Sequence, residues 1–107
     1  MNRGDVRWYT FGRPDKRRPV VVLTRDSALK FLGEVTIAPV TSTVRDIPSE
    51  VFLTSVDGLP RDCAINLDHL QTVSRAKVGD LITHLGESKM SEVLSALLFA
   101  LGFESAL

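Results

Sequence analysis

The sequence predicts a mainly β protein, a small barrel or sandwich of short strands that ends in one α-helix. Runs rich in β-branched and aromatic residues are separated by turn signals about every 8–12 residues. Near the end of the chain, apolar residues instead recur at spacings of three and four, which is typical of an amphipathic helix. The length of 107 residues suits a single core, so we predict one domain over residues 1–107.

Seven strands are predicted, and a proline affects the expected pairing of two of them. Pro19 is expected to open the second strand, whose apolar run is buried on both faces, and Pro39 favours a bulge or an edge in the third. Gly12 and Pro14 predict a turn that joins the first two strands into a hairpin. The predicted strands are Asp5–Phe11, Val20–Leu23, Glu34–Thr43, Glu50–Thr54, Cys63–Leu67, His69–Ser74 and Leu81–Leu85.

The C-terminal helix is predicted from an apolar stripe that runs from Met90 to Leu101. Ser88 is expected to cap its start, and Gly102 its end. We expect the apolar face to cover one side of the barrel. A dedicated partner-binding helix is the alternative.

Composition excludes several classes of protein. Hydrophobic residues make up 44% and charged residues 24% of the chain, as in ordinary globular proteins. No apolar run approaches the roughly 20 residues that span a bilayer, and the N-terminus lacks the apolar segment of a signal peptide, so a cytoplasmic location is expected. One cysteine, Cys63, and two histidines give little basis for a disulfide or a metal centre, so no metal and no cofactor are expected.

Positive charge is concentrated at the start of the chain. Residues 1–30 contain eight lysines or arginines and three aspartates, a net charge of +5, whereas the rest of the chain has a net charge of −5. This asymmetry suits a basic surface for a phosphate backbone, although a solvated surface is the alternative.

The chain lacks the common nucleotide-binding and hydrolase motifs. There is no GxxxxGK[ST], GxGxxG, HExxH or GxSxG, which leaves arginines, hydroxyls, carboxylates and two histidines as catalytic candidates. Next to basic charge, this inventory favours a phosphodiester substrate. RNA is the easier target because its own 2′-hydroxyl can attack the adjacent phosphorus.

Four ordered segments resemble the MazF family of toxin endoribonucleases, which includes the Kid/PemK branch. They are RGDVRWYTF at Arg3–Phe11, RRPVVVLTRD, IAPVTST, and DCAINLDHLQTV at Asp62–Val73. The resemblance implies an SH3-like barrel of the CcdB/MazF type. It also implies metal-independent, sequence-specific cleavage of single-stranded RNA that leaves a 2′,3′-cyclic phosphate.

The resemblance also assigns site residues. Arg18 matches the arginine of the family's Arg-Pro motif and Thr41 the hydroxyl residue of its third strand, the two principal catalytic positions. Arg18 would bind the scissile phosphate, since a guanidinium is a rigid fork of donors, and the Thr41 hydroxyl would donate to a phosphoryl oxygen or position the 2′-hydroxyl.

Other residues are assigned supporting roles. Asp68 matches an acidic position of the Kid/PemK branch, whereas His69 stands where most relatives have glutamine, so it either transfers a proton or lies at the rim without a catalytic role. Trp8 and Tyr9 point to opposite faces of the first strand, so one of them is expected in the core. The candidates for catalytic support are Ser42, Asp68 and His69, and those for RNA binding are Lys16 and Arg17 in the hairpin loop, Thr43 and Gln71.

The partners implied by the resemblance are single-stranded RNA, a cognate antitoxin of MazE type and a second copy of the chain. A homodimer is expected because a chain of this size gains both surface and stability from pairing. Two alternatives remain. One is a non-enzymatic, gyrase-targeting toxin of CcdB type, although the C-terminal LGFESAL lacks that group's tryptophan. The other is a catalytically silent RNA-binding barrel.

Overall fold

A computed structural model describes residues 1–12 and 16–103. These residues form one curled, antiparallel sheet and a C-terminal helix, which confirms the predicted fold class. The strands lie in the order β4-β5-β3-β2-β1-β7, and β6 pairs with β3. The elements are β1 (Asp5–Phe11), β2 (Lys16–Val22), β3 (Glu34–Thr41), β4 (Glu50–Leu53), β5 (Cys63–Asn66), β6 (Gln71–Ser74), β7 (Leu81–His84) and α1 (Glu87–Leu101).

Strands β1 and β2 form the predicted hairpin, but β2 begins earlier than expected. Pro19 lies inside β2, opposite Trp8, and the strand starts at Lys16, opposite Phe11. The prediction that Lys16 and Arg17 belong to a loop is therefore wrong. The whole length of β1 is available as a partner, and polar side chains do not prevent backbone pairing. The predicted turn at Pro14 lies outside the described residues.

Strand β3 changes its partner at Pro39, which confirms the predicted irregularity. From Glu34 to Ile37 it pairs with β6, and from Val40 to Thr41 it pairs with β5. The residues between these two ladders are Ala38 and Pro39, and Pro39 has no N–H to donate. Strand β3 therefore belongs to both halves of the curled sheet.

The remaining strands follow the predicted order with shorter bounds. His69 was expected in a strand, but it lies in a 3-10 turn, Leu67–His69, that precedes β6. This turn starts at Asn66, whose side-chain oxygen accepts a hydrogen bond from the N–H of Asp68. A side-chain cap of this kind favours a turn over continued pairing.

The curled sheet buries apolar side chains on both faces. Val20 and Val22 belong to one core cluster and Val21 to the other, and all three are fully buried. This alternation confirms that β2 is a central strand buried on both sides. The cluster that contains Val21 also includes Val93 and Ala96 of α1, so the helix covers that face of the sheet, as predicted.

The helix begins earlier than Ser88. Its N-cap is Gly86, and Ser88 lies within the first turn, so the predicted cap is wrong. Its end is as expected, since Gly102 adopts a left-handed conformation with φ of 78° and its N–H bonds back to Leu98 and Phe99. Among the described residues, no helix is both long and apolar enough to cross a membrane.

Candidate active site at the split between strands β2 and β3

Strands β2 and β3 separate at a point that their prolines determine. Their pairing ends at Val20 opposite Pro39. The N–H of Leu23 donates to the carbonyl of Thr36 at 2.9 Å, so the N–H groups at alternate positions, 23, 21 and 19, point toward β3. Position 19 is proline, which lacks the donor for the next bond to Val40. The regular pairing of β2 with β3 ends at this point among the described residues.

Arg18 and Thr41 lie on the two sides of this split. Continuing the register of Val20 and Pro39 by two residues would place Arg18 directly opposite Thr41. Without the connecting hydrogen bonds, the space between them is an open cavity of about 290 Å³ that both residues line. The two catalytic residues assigned from the sequence are thus brought together.

This first cavity is basic and partly apolar. Among the described residues, three arginines and no carboxylate line it. Its floor includes Leu59 and Cys63, which are buried, and Trp8 is half-buried beside them. The lining residues of interest are Trp8, Arg17, Arg18, Pro19, Thr41, Ser42, Leu59, Pro60, Arg61 and Cys63.

A second, more open cavity lies beyond Arg18. Its volume is about 420 Å³, and of the residues that the structure describes, Arg18 alone lines both this cavity and the first. The second cavity brings together Lys16, His69 and Gln71, with Phe11 and Pro39 as apolar walls. Arg18 therefore stands between two adjoining cavities, as a residue that binds a central phosphate would.

The Thr41 hydroxyl has a defined orientation. Its oxygen accepts a hydrogen bond from the backbone N–H of Thr43 at 3.1 Å. This bond uses one lone pair of the oxygen. The hydroxyl hydrogen is left free to donate to an acceptor within the first cavity. Thr43 itself lines neither of the two cavities, and it contacts Thr41 through this backbone N–H.

Asp68 does not line either cavity. Its carboxylate accepts a hydrogen bond of 2.6 Å from the hydroxyl of Ser49, a buried residue. His69 Nδ1 lies 3.2 Å from the side-chain nitrogen of Asn66, within the same turn. These contacts fix the turn that carries His69 toward the second cavity.

Cys63 lies in the floor of the first cavity as a free thiol. Burial raises its pKa, and the nearby charges of Asp62 and Asp57 raise it further. A thiol in such surroundings stays protonated, so it is a poor nucleophile at neutral pH. Among the residues that the structure describes, no cluster of three or more His, Cys, Asp or Glu side chains could hold a metal ion.

The sequence did not single out Arg61, Leu59 or Pro60. They lie in the connection between β4 and β5, some forty residues from β2, and only the curl of the sheet brings them beside Arg18. The one signal in the sequence was an arginine in a turn rich in glycine and proline.

Comparison with known proteins identifies relatives of the whole described fold. Residues 2–101 match the family model described as PemK-like, MazF-like toxin of type II toxin-antitoxin system. A curated relative, "Probable endoribonuclease MazF5" of Mycobacterium tuberculosis, is 40% identical over 96 residues, which is 89% of this chain and 87% of that protein.

Solved structures agree with this family match. The M. tuberculosis toxin MazF-mt6 superposes with a TM-score of 0.87 at 30% identity, covering 94% of this chain and 99% of that one. A MazE-MazF structure (Form-I) from Deinococcus radiodurans gives a TM-score of 0.77 at 25% identity, covering 96% and 97% of the two chains. The resemblance noted in the sequence is confirmed.

Proposed function

Because the chain belongs to the PemK-like, MazF-like family of toxins of type II toxin-antitoxin systems, we propose that the split between β2 and β3 is the active site of an endoribonuclease. The observation that carries this proposal is the position of Arg18 and Thr41 on the two sides of a basic cavity. The substrate is single-stranded RNA, cut at a specific sequence. Relatives named as endoribonucleases at 36–40% identity support the same conclusion.

The RNA supplies its own nucleophile in this reaction. The 2′-hydroxyl oxygen forms a bond to the adjacent phosphorus, and the bond from phosphorus to the 5′-oxygen breaks. One proton leaves the 2′-hydroxyl and one is delivered to the departing 5′-oxygen, so the products are a 2′,3′-cyclic phosphate and a 5′-hydroxyl. The protein provides geometry, proton transfer and stabilisation of charge, so we propose a reaction without a metal.

Arg18 and Thr41 stabilise the charge that develops on the phosphate. Arg18 is half-buried between two cavities, where its donors can reach both non-bridging oxygens. Thr41 keeps its hydroxyl hydrogen for the same group, since its oxygen already accepts from Thr43. Donors held in place before the reaction need no reorganisation when charge appears.

The supporting residues divide between the two cavities. Ser42 lines the first cavity and can donate to the phosphate or to a ribose. His69 lines the second cavity together with Arg18 and is our candidate for proton transfer. Asp68, bonded to Ser49, is assigned to positioning the turn that carries His69.

The RNA backbone would extend from Arg18 in both directions. Arg17 lines the first cavity, whereas Lys16 and Gln71 line the second, so both flanks offer donors to phosphates or bases. Thr43 is exposed next to Thr41, and we assign it to contacts with the same RNA molecule.

The partners follow from the family and the charge. We propose that a cognate antitoxin of MazE type binds this toxin, by analogy with the MazE-MazF structure from D. radiodurans. We also propose a homodimer, which would extend the RNA groove across two copies. With messenger RNA as the substrate, we expect the activity in the cytoplasm.

Cleavage of RNA in EDTA tests the proposed function, with Thr41 as the probe. The wild type should release fragments with a 2′,3′-cyclic phosphate, and a 2′-deoxy nucleotide at the cut position should block the reaction. Thr41→Ala should lower kcat about 10- to 100-fold through loss of one hydrogen bond to the transition state, whereas Thr41→Ser should keep most of the rate.

Absence of cleavage by the wild type would contradict the assignment and favour the gyrase-targeting or the silent RNA-binding alternative. Full activity of Thr41→Ala, with a correctly folded protein by circular dichroism, would move the active site away from this split.

A further inference from the structure

Besides Arg18 and Thr41, the first cavity is lined by residues that phosphate binding alone does not require. They are Trp8 and Arg17 from the β1-β2 hairpin and Leu59, Pro60 and Arg61 from the connection between β4 and β5. Two of these side chains are cationic, and the others offer aromatic or apolar surface. This combination suits a nucleobase with its adjoining phosphate.

Arg17 and Trp8 are already stacked. The guanidinium carbon of Arg17 lies 4.1 Å from the centroid of the Trp8 ring. The backbone of Trp8 is fixed from the β7 side, where its N–H donates to Asp80 at 3.0 Å and its carbonyl accepts from Gly79 at 2.8 Å. The stacked pair therefore presents the outer face of a planar cation, on which a base can stack.

The connection that carries Arg61 is held rigidly. Thr54 and Asp57 cap its 3-10 turn reciprocally, and Gly58 follows with φ of 98°. A Cβ at Gly58 would lie 2.5 Å from the Thr83 hydroxyl, so this turn packs directly against β7. Leu59 is buried in the core, which anchors the segment two residues before Arg61.

Arg61 itself is exposed at the cavity. Among the described residues it forms no ion pair, and it shares the cavity wall with Arg17 and Arg18. A cavity that three arginines and, among the described residues, no carboxylate line favours an anionic ligand. The cavity volume of about 290 Å³ is near the lower end of ligand pockets, roughly 300–1,000 Å³, and suits one nucleotide.

We propose that Trp8, Arg17 and Arg61 form a base-binding subsite next to the scissile phosphate, in which a nucleobase lies on the Arg17-Trp8 stack and Arg61 contacts it from the β4-β5 connection. This inference rests on the proposed function for the identity of the ligand. It makes Arg61 and Trp8 determinants of RNA specificity, with no direct part in the chemical step.

The test compares binding with and without bases at constant charge. The probes are four uncleavable 2′-deoxy pentanucleotides, each with one kind of base, and an abasic pentanucleotide with the same phosphates. Trp8 is the only tryptophan in the chain, so its fluorescence reports a ligand bound beside the Arg17-Trp8 stack, and the Arg61 variant assigns that ligand to the first cavity. The variants are Arg61→Ala and the matched control Arg75→Ala, which removes an exposed arginine that lines neither the first nor the second cavity.

The wild type should bind at least one base-bearing probe about 5- to 100-fold more tightly than the abasic probe, with a change in Trp8 fluorescence. Arg61→Ala should reduce this preference to about twofold, whereas Arg75→Ala should keep it. If both variants weaken all probes equally, Arg61 acts only by charge and the subsite is refuted.

Cleavage by the same proteins separates this inference from the proposed function. A base preference that depends on Arg61, in a protein that cuts no RNA, would support the subsite and contradict the nuclease. Cleavage with an unchanged sequence preference in Arg61→Ala would support the nuclease and contradict the subsite.

Discussion

Arg7 and Arg18 occupy neighbouring strands and are both half-buried, but their surroundings differ. The Nε of Arg7 lies 3.2 Å from a carboxylate oxygen of Asp5, and one of its terminal nitrogens donates to the carbonyl of Gly79 at 3.1 Å. Arg18 has no carboxylate partner among residues 1–12 and 16–103 and stands between two cavities. We therefore expect Arg7 to stabilise the fold, and we propose that Arg18 binds the substrate.

The region around Asp5 shows what a structural polar cluster looks like in this protein. Asp5 is buried and accepts hydrogen bonds from the N–H of Asn2 at 2.9 Å and from Arg7, and its second oxygen lies 2.8 Å from His84 Nδ1. Burial alone would raise the pKa of Asp5, but these hydrogen bonds outweigh it and hold the pKa below its ordinary value. Each donor in the cluster has an acceptor, so no ligand is needed.

The largest effects are expected when Arg18 or Arg7 is replaced by alanine. One replacement should lower the cleavage rate and the other the stability of the fold. Arg18→Ala should lower kcat for RNA cleavage about 100- to 1,000-fold, as loss of a transition-state donor does, with a change in unfolding free energy within about 0.5 kcal/mol. Arg7→Ala should lower the unfolding free energy by about 1–3 kcal/mol, because it removes the arginine partner of the buried Asp5, and keep kcat. Urea unfolding and single-turnover cleavage measure the two quantities.

The roles assigned to the two arginines would be wrong if Arg7→Ala lost cleavage while remaining folded. They would also be wrong if Arg18→Ala unfolded more easily and still cut RNA at the normal rate.

Restoring the missing hydrogen bond between β2 and β3 should reduce activity by a smaller factor. Pro19→Val supplies an N–H that can donate to Val40, which would extend the ladder and narrow the split. We expect about a tenfold loss of kcat, since small displacements of catalytic groups are costly, with stability unchanged within about 1 kcal/mol. Pro48→Ala, in an exposed loop, is the control for loss of a proline.

Unchanged cleavage by Pro19→Val would indicate that the width of the split does not limit the reaction. Hydrogen exchange at position 19 would report whether the new bond had formed.

The smallest effect concerns pH and the structural cluster. Because the folded-state pKa of Asp5 lies below the ordinary value of 3.8, its contribution to stability is present above that pH and is lost as pH falls through the folded-state value. Asp5→Asn should therefore be less stable than the wild type by about 1–3 kcal/mol at pH 5, with a smaller difference at pH 3. Urea unfolding at both pH values measures it. A difference that grew toward pH 3 would contradict the lowered pKa.

Local features of the sequence predicted much of the fold. The β1 boundaries, the interruption at Pro39 and the helix end at Gly102 each depend on residues within a few positions, and all three are observed. The extension of β2 to Lys16 was missed because it depends on the partner strand β1 and not on the residues of β2 themselves.

The residues of the candidate site that belong to a family motif were predicted from the sequence. Those that only the fold brings next to the motif were missed. Arg18 and Thr41 came from the family resemblance, whereas the role of Pro19 in opening the split needed the register between β2 and β3. Arg61 was missed because nothing near it in sequence relates it to Arg18. The same holds for the contact between Asp5 and His84, which lie 79 residues apart.

Amide chemical shifts can show whether nucleic acid binds at the split between β2 and β3. An NMR titration of ¹⁵N-labelled protein with an uncleavable single-stranded 2′-deoxy oligonucleotide would report every amide at once. We predict shifts at Arg18, Thr41 and Ser42, on the two sides of the split, and none at Asp5 or His84. Shifts concentrated around Asp5 and His84, with the amide signals of Arg18 and Thr41 unchanged, would contradict an active site at the split between β2 and β3.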